Sequence, residues 1–333
     1  MEKFTFGIMI YNQEKIVIET LESIKYQIDK FGEGMSFNII ITDDCSKDNT
    51  VLVVEKWLTI NSYCFQNIEF IKNKNNKGTV YNYNYIMSRI NDEHFKIIAG
   101  DDLLVPENIF PHVSNNNNVI DTFPYYRLEN GKISYKKTYL YDYFYKMKKY
   151  TVDKNIPWIK KGDFLHTPST FYSKKLYINS KAREFNSNFF LYEDDPTFYS
   201  IFKNQKDINV TFHNFGIILY RYSSTSSSTT PNKVFLEDWV KLQVQYYNDS
   251  RNIERLFYFI RSKMDFSKRV NICKIANKIE LIFRKLYVSI FYTKEFKQFY
   301  REYCLMVDKY QKYYDLIHDQ NIQFLNTVSE YKI

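Results

Sequence analysis

Ile98-Ala-Gly-Asp-Asp-Leu-Leu-Val-Pro106 is an apolar strand pattern that runs straight into two adjacent carboxylates. Neighbouring negative charges repel, so such a pair needs something positive to hold. At the carboxyl end of a strand, that is often a divalent cation and the phosphates it carries. Upstream, apolar β-branched and aromatic runs at 4–11, 37–42, 68–71 and 95–99 alternate with helical patterns near 14–28, 48–58 and 79–90. Strand, helix, strand with short connections predicts an α/β fold, a mostly parallel central sheet flanked by helices. Ligands of such sheets sit beyond the carboxyl ends of the strands. The residues just after each strand are therefore the ones to weigh.

Three acidic clusters occupy such places. In Ile39-Ile-Ile-Thr-Asp-Asp-Cys-Ser-Lys-Asp-Asn-Thr50, a strand delivers Asp43 and Asp44 to its tip. Ser46 and Asp48 there suit the cap of a following helix and need no ligand. Capping leaves Asp43 and Asp44 unexplained, which favours a ligand role for them. Asp101-Asp102 offers hard oxygen ligands of the kind that hold Mg²⁺ or Mn²⁺ while the ion bridges substrate phosphates; its alternative is a turn before a helix at Pro106. In Phe189-Phe-Leu-Tyr-Glu-Asp-Asp-Pro-Thr197, aromatic surroundings desolvate the carboxylates and raise their pKa, which suits a general base. Asp195 before Pro196 reads as a helix N-cap, whereas Glu193 and Asp194 have no such explanation.

Beyond residue 106 the pattern is less regular. Asn130-Gly131 predicts a hairpin turn, and 210–212 and 217–221 read as strands returning to the sheet. A Ser/Thr-rich stretch follows at 223–232. From about 234 the pattern is helical, and Ile272, Ile275, Ile279, Ile282, Leu286 and Ile290 mark one apolar face. Lys274, Lys278 and Lys285 lie off that face.

Composition narrows the class. The 333 residues carry a formal charge of +8, and aromatics reach 19% against eight glycines and seven prolines. The abundance of Asn, Ile, Lys and Tyr resembles an AT-rich coding background, that of a low-GC bacterium. Between 255 and 301 stand twelve Lys or Arg against three acids. That segment reads either as a solvated face or as one drawn to an anionic membrane surface. The four cysteines form neither a CxxC pair nor a cluster with histidines, which favours a reducing compartment and excludes a zinc motif. With no signal-peptide layout and no apolar run of membrane length, the expectation is a cytosolic, soluble protein, peripheral at most at the inner face of the plasma membrane. No nucleic-acid motif accompanies the charge.

The motifs also fall in a recognisable order. Tyr11-Asn-Gln-Glu14, Thr20-Leu-Glu-Ser-Ile24 with Gln27, Asp43-Asp-x-Ser-x-Asp-x-Thr50, Asn76-Lys-Gly78 with Asn84, Gly100-Asp-Asp102 and Glu193-Asp194 resemble, in sequence and rough spacing, the family 2 glycosyltransferases over about 4–222. The resemblance implies a GT-A fold at 1–232, with a nucleotide-binding half (1–105) and an acceptor half (106–232), followed by a helical module at 233–333. It implies sugar transfer from a nucleotide-diphosphate sugar, taken as a UDP-sugar, with inversion at the anomeric carbon. The acceptor class is a surface glycan, lipid-linked or glycoprotein acceptor of bacterial type.

Carried over by position, Tyr11, Asn12, Glu14, Asp43, Asp44, Lys77, Gly78, Asn84 and Gly100 would face the donor. Asp43 would meet the ring N–H of uracil. Asp101 and Asp102 would divide ribose or sugar contact and Mn²⁺ or Mg²⁺ between them, with Asp102 the favoured ligand. Asp194 would be the base, with Glu193 beside it. Three positions depart from the family pattern: Ala99 replaces the first Asp of the acidic motif, Tyr83 replaces a frequent Arg, and Ser223 lies near the place of a frequent His. Arg221 and the Ser/Thr stretch would then hold the diphosphate.

His166 and His213 read as structural or acceptor-lining. Trp158 and the 139–145 tyrosine cluster read as core, with Trp158 also able to stack on a sugar. Two other readings compete. A nucleotidyltransferase on a similar fold lacks support because no glycine-rich loop follows the first strand. A non-catalytic pseudo-glycosyltransferase partner draws on Ala99, against Asp101, Asp102 and Asp194.

Overall fold

The computed structural model describes residues 2–113, 116–152, 165–223, 233–251, 258 and 266–330. Trp158 and the Ser/Thr stretch after Ser223 therefore lie outside the described residues. Strand β1 (Glu2–Ile10) is buried almost throughout from Phe4 onward, as a strand covered on both faces must be. It pairs in parallel with β2 (Met35–Asp43) and β4 (His94–Ala99), and β2 pairs in parallel with β3 (Asn67–Lys72), giving the order β3-β2-β1-β4. The intervening helices are α1 (Val17–Phe31), α2 (Thr50–Asn61) and α3 (Gly78–Arg89). Phe4, Phe6 and Ile8 pack with Leu21, Ile24 and Trp57 on one face. Ile40 and Ile97 pack with Tyr83 and Ile86 on the other. The predicted alternation over the first hundred residues matches the structure, and Tyr83 is a core residue.

After β4 the chain bends at Gly100–Asp102 into β5 (Leu103–Leu104). β6 (Val119–Thr122), β7 (Tyr126–Glu129), β8 (Lys132–Ser134), α4 (Lys137–Val152), β9 (Thr170–Tyr172), α5 (Lys174–Asn179), α6 (Ala182–Asn186), α7 (Asp194–Asn204), β10 (Asn209–Phe212), β11 (Ile218–Arg221) and α8 (Lys233–Asp249) follow. The expected strands near 210 and 217 exist, but they do not rejoin the parallel sheet. They enter two small mixed sheets, β10-β6-β9 and β5-β11-β7-β8. The bend after Ala99 ends pairing with β1, and β5 then offers its edge to β11, with Leu104 opposite Ile218. The hairpin at Asn130-Gly131 is present, with φ of 50° and 74° at the two turn residues, the left-handed pair such a turn needs.

The expectation for Asp195 needs correction. Helix α7 starts at Asp194, so Glu193 holds the cap position and Asp195 lies inside the first turn. Its carboxylate instead accepts from the Tyr192 hydroxyl. Pro196 is tolerated there because first-turn N–H groups have no helical partner.

Helices α9 (Phe266–Phe291) and α10 (Thr293–Glu330) end the described chain. α10 shares a core with β7 and α4: Tyr303 stacks on Tyr126, and Tyr313 meets Tyr26 of α1. α9 lies on α4 through Val288, Tyr287 and Arg284. The apolar face read from spacing points the other way, since Ile279, Ile282, Phe283, Leu286 and Ile290 are each at least half exposed. The side chains of Ile272, Lys274 and Ile275 lie outside the described residues.

Candidate active site

The loop after β1 is stitched to the loop after β2. Asn12, at φ 52°, donates its N–H to Ser46 Oγ (2.9 Å), and its Oδ1 accepts from Lys47 N–H (2.7 Å). Glu14 Oε2 accepts from the N–H and side-chain amide of Asn49, each at 2.8 Å. Asp48 Oδ1 accepts from Thr50 N–H (3.0 Å) at the start of α2, but Asn49 holds the cap position without a side-chain bond. Ser46, read as a cap, instead binds Asp43 and Asn12. Between these anchors the Tyr11 ring stays exposed, where a flat base can stack.

Asp43 and Asp44 both have partners inside the protein. Asp43 accepts from the N–H (3.1 Å) and the hydroxyl of Ser46. Asp44 accepts from Lys77 N–H (2.7 Å) and Gly78 N–H (3.0 Å), so it caps α3. Gly78 itself sits at φ +82°, and a Cβ there would lie 2.3 Å from the Phe190 carbonyl oxygen. Asn84 accepts from the Tyr177 hydroxyl (2.6 Å) and thereby ties α3 to α5. The Lys77 side chain is exposed and reaches the Tyr81 hydroxyl (2.9 Å).

The tip of β4 is different. Gly100 passes so close to the first loop that a Cβ would meet Gln13 Oε1 at 2.4 Å. Asp102 is buried; its Oδ1 accepts from Arg221 N–H (2.9 Å), and its Oδ2 has no partner. Burial pushes the Asp102 carboxyl well above its usual range, and Asp101 pushes it further while Arg221 pulls it back. Asp101 is also raised by burial, against the pull of Arg221. Arg221 Nε donates to the Asp101 carbonyl (2.7 Å), and its guanidinium pairs with buried Glu19. Glu19 in turn accepts from His318 Nδ1 (2.6 Å) and the Asn321 side-chain amide (3.3 Å) of α10. The charge of Arg221 is thus matched inside the protein, and the carboxyl-terminal helix reaches the acidic tip through Glu19.

Glu193 and Asp194 come to the same place from the start of α7. A cavity of about 120 Å³ is lined by Asp101, Asp102, Glu193, Asp194, His166, Thr167, Tyr220 and Arg221, among others. Two of the three acidic clusters therefore converge, and Asp43-Asp44 stays on its own strand tip outside the lining. Asp194 Oδ1 accepts from Thr167 N–H (2.9 Å). Burial holds the Glu193 carboxyl well above its usual range, with Asp194 adding to the shift. His166 lines the cavity against Tyr125 and Tyr220, and burial lowers its pKa. His213 instead bonds Asp121 (2.8 Å) and stacks on Phe123, outside the lining.

Sequence reading missed Glu19 and Asp238. Asp238 of α8 accepts from Phe190 N–H (2.7 Å) and Leu191 N–H (2.8 Å), fixing the loop that delivers Glu193. Neither residue has a local motif; the only trace is an acid among apolar helical neighbours.

Among the described residues no group of three His, Cys, Asp or Glu side chains is arranged as a ready metal cage. The partnerless, buried Asp102 Oδ2 is nevertheless a hard oxygen that lacks a positive partner. One such ligand suits a cation that takes its other ligands from substrate phosphates and water. The residues present fit Mn²⁺ or Mg²⁺ on those terms.

The family model of glycosyl transferase family 2 matches residues 5–181. This chain belongs to that family. The match spans the parallel sheet, the acidic tip of β4 and the turn that holds Asp194. A teichoic acid poly(glycerol phosphate) polymerase of Staphylococcus epidermidis is 30% identical over 118 residues, covering 35% of this chain and 15% of that protein. The chain thus corresponds to a small part of that relative. Among solved structures, residues 1–349 of S. aureus TarS with UDP-GlcNAc align at TM-score 0.51 and 16% identity, covering 80% of this chain and 72% of that one. GalNAc-T7 with UDP, GalNAc and Mn²⁺ aligns at TM-score 0.54 and 9% identity, covering 83% and 55%. At such identities the likeness is one of fold, and the fold is GT-A.

Proposed function

We propose that the protein is an inverting glycosyltransferase that moves a sugar from a UDP-sugar onto a bacterial surface glycan, or onto a lipid-linked or glycoprotein precursor of one. The observation that carries this reading is the shared cavity, with Asp102 Oδ2 lacking a partner on one side and Asp194 held by Thr167 on the other. The UDP and UDP-GlcNAc complexes of TarS and the polymerase of S. epidermidis support the donor and product classes.

Tyr11 stacks on the base, and Asp43 accepts from its ring N–H beyond the two bonds from Ser46. Asp102 holds the divalent cation, which when bound stabilises the charge developing on the departing diphosphate. Asp101 contacts the ribose or sugar. Arg221, matched by Glu19, braces the Asp101 carbonyl and the Asp102 carboxylate more than it offers free charge to phosphate. Asp194 takes the proton from the acceptor hydroxyl as that oxygen attacks the anomeric carbon. One base and no protein nucleophile give single displacement with inversion. Glu193, whose carboxyl burial and the neighbouring Asp194 hold well above its usual range, stands beside the base.

Among the described residues no helix is long and apolar enough to cross a membrane. The outward stripe of α9 with Lys278 and Lys285 at its rim has the make-up of a helix lying on an anionic surface. A lipid-linked acceptor at the inner face of the plasma membrane fits that arrangement.

The test is hydrolysis or transfer across a panel of UDP-sugars with Mn²⁺, for the wild type and Asp194→Asn. The reading expects one donor to be consumed, with loss of turnover and retained UDP binding in the variant. Retained transfer in Asp194→Asn removes Asp194 from the mechanism.

A further inference from the structure

We infer that Lys96 positions the base side of the site, gripping from below the turn that holds Asp194. Lys96 stands in β4, opposite Phe6 of β1, and is almost wholly buried. A buried ammonium is costly unless its hydrogen bonds do something that an apolar side chain cannot. Its Nζ donates to the carbonyl oxygens of Thr167 (3.1 Å) and Thr170 (3.0 Å) and lies 4.8 Å from the centre of the Phe171 ring. Those two carbonyls belong to the short 3₁₀ turn Thr167–Ser169 and the residue after it. Thr167 and Pro168 line the cavity, and the Thr167 N–H is the donor to Asp194 Oδ1. Lys96 therefore binds the back of the turn while Asp194 binds its front.

Two consequences follow from this placement. Fixing the Thr167 N–H fixes one oxygen of the base, and orientation of a reacting group is a large part of rate. The amine beneath the turn also couples, through it, to the acidic cavity. Burial lowers the Lys96 pKa to about 7, while Asp194 and Asp102 pull it upward, so the amine and the acidic cavity are electrostatically linked.

This inference rests on Asp194 acting as the base, and its test separates the two. Lys96→Met removes both the charge and the donors; Lys96→Gln keeps an amide donor without charge. Hydrogen exchange over 165–171 reads the grip with no substrate present. Hydrolysis of the fastest UDP-sugar with Mn²⁺ reads its effect on the base through the split between kcat and KM. In Lys96→Met the segment should exchange about tenfold faster, and kcat should fall about tenfold with donor KM unchanged. Lys96→Gln, which keeps a donor, should restore slow exchange and most of kcat.

Unchanged exchange in Lys96→Met overturns the grip, and Lys96→Leu, which also lacks a donor, carries the same test if the Met variant does not fold. Faster exchange with wild-type kcat, or kcat and KM changing together, overturns the positioning role. Slow exchange in Lys96→Gln without recovery of kcat also overturns it. A wild type that hydrolyses no UDP-sugar defeats the functional reading, and the exchange data then decide the grip alone.

Discussion

The tip of β2 and the tip of β4 carry the same sequence signal, an apolar strand followed by two aspartates, and the fold uses them in opposite ways. At β2, Asp44 spends both oxygens on the N–H groups that open α3, and both oxygens of Asp43 already accept from Ser46, leaving only their remaining lone pairs for a base. At β4, Asp102 keeps a buried oxygen without a partner and its carboxyl is pushed well up by burial. A second acidic group from α7 faces it across the cavity. Adjacent carboxylates at a strand tip thus mark a place where charge is held. Whether the holder is the protein or a ligand depends on what the rest of the chain brings there.

Four changes would break or sharpen that contrast. The largest effect belongs to Asp194→Asn, for which kcat should fall on the order of 10²–10⁴-fold while UDP affinity holds; steady-state kinetics beside calorimetry reads both. Next, Asp102→Asn should lower metal-dependent UDP affinity by about tenfold or more, since it removes the hard ligand. Asp44→Asn should leave that affinity within about twofold, because its carboxylate is spent on α3.

The third is a pH effect. Asp102 and Glu193 have folded pKa values above their unfolded ones. They bind more protons folded than unfolded, so they stabilise the metal-free protein at low pH and that stabilisation is lost as pH rises through the raised values. Metal binding needs the ionised carboxylate, so Mn²⁺ affinity should fall as pH drops into the same window. Thermal unfolding with and without Mn²⁺ across pH 4–8 would show the gap widening upward; a gap that narrows would contradict the assignment.

The smallest effect concerns stability. Asp44→Ala should cost about 1 kcal/mol from the lost cap of α3. Denaturant melts would read that loss, whereas a loss near zero would return Asp44 to the pool of donor ligands.

The first hundred residues were legible because strands buried on both faces and helices with one apolar stripe leave strong periodic signals. Strands β5 to β11 are two to four residues long, too short to show a period, so their existence was partly visible and their sheet was not. The cavity's two acidic walls were legible as motifs. The internal fate of Asp44 was not, because its partners lie 33 and 34 residues away. The Glu19 links to Arg221 and His318 span 202 and 299 residues. Periodicity likewise gave α9 an apolar face without giving its direction, which only the packing of Val288 against α4 decides.

Vesicle sedimentation bears on that last face: wild type should pellet with anionic vesicles more than with neutral ones, and the double change Phe283→Ser, Ile290→Ser should lose the difference.

The most direct measurement of the central claim is calorimetric titration of UDP into the protein with and without Mn²⁺. A carboxylate oxygen left without a partner at the tip of β4 predicts UDP binding that requires the metal in the wild type and loses that requirement, with most of its affinity, in Asp102→Asn. Equal binding with and without Mn²⁺, or no binding of UDP at all, would contradict it.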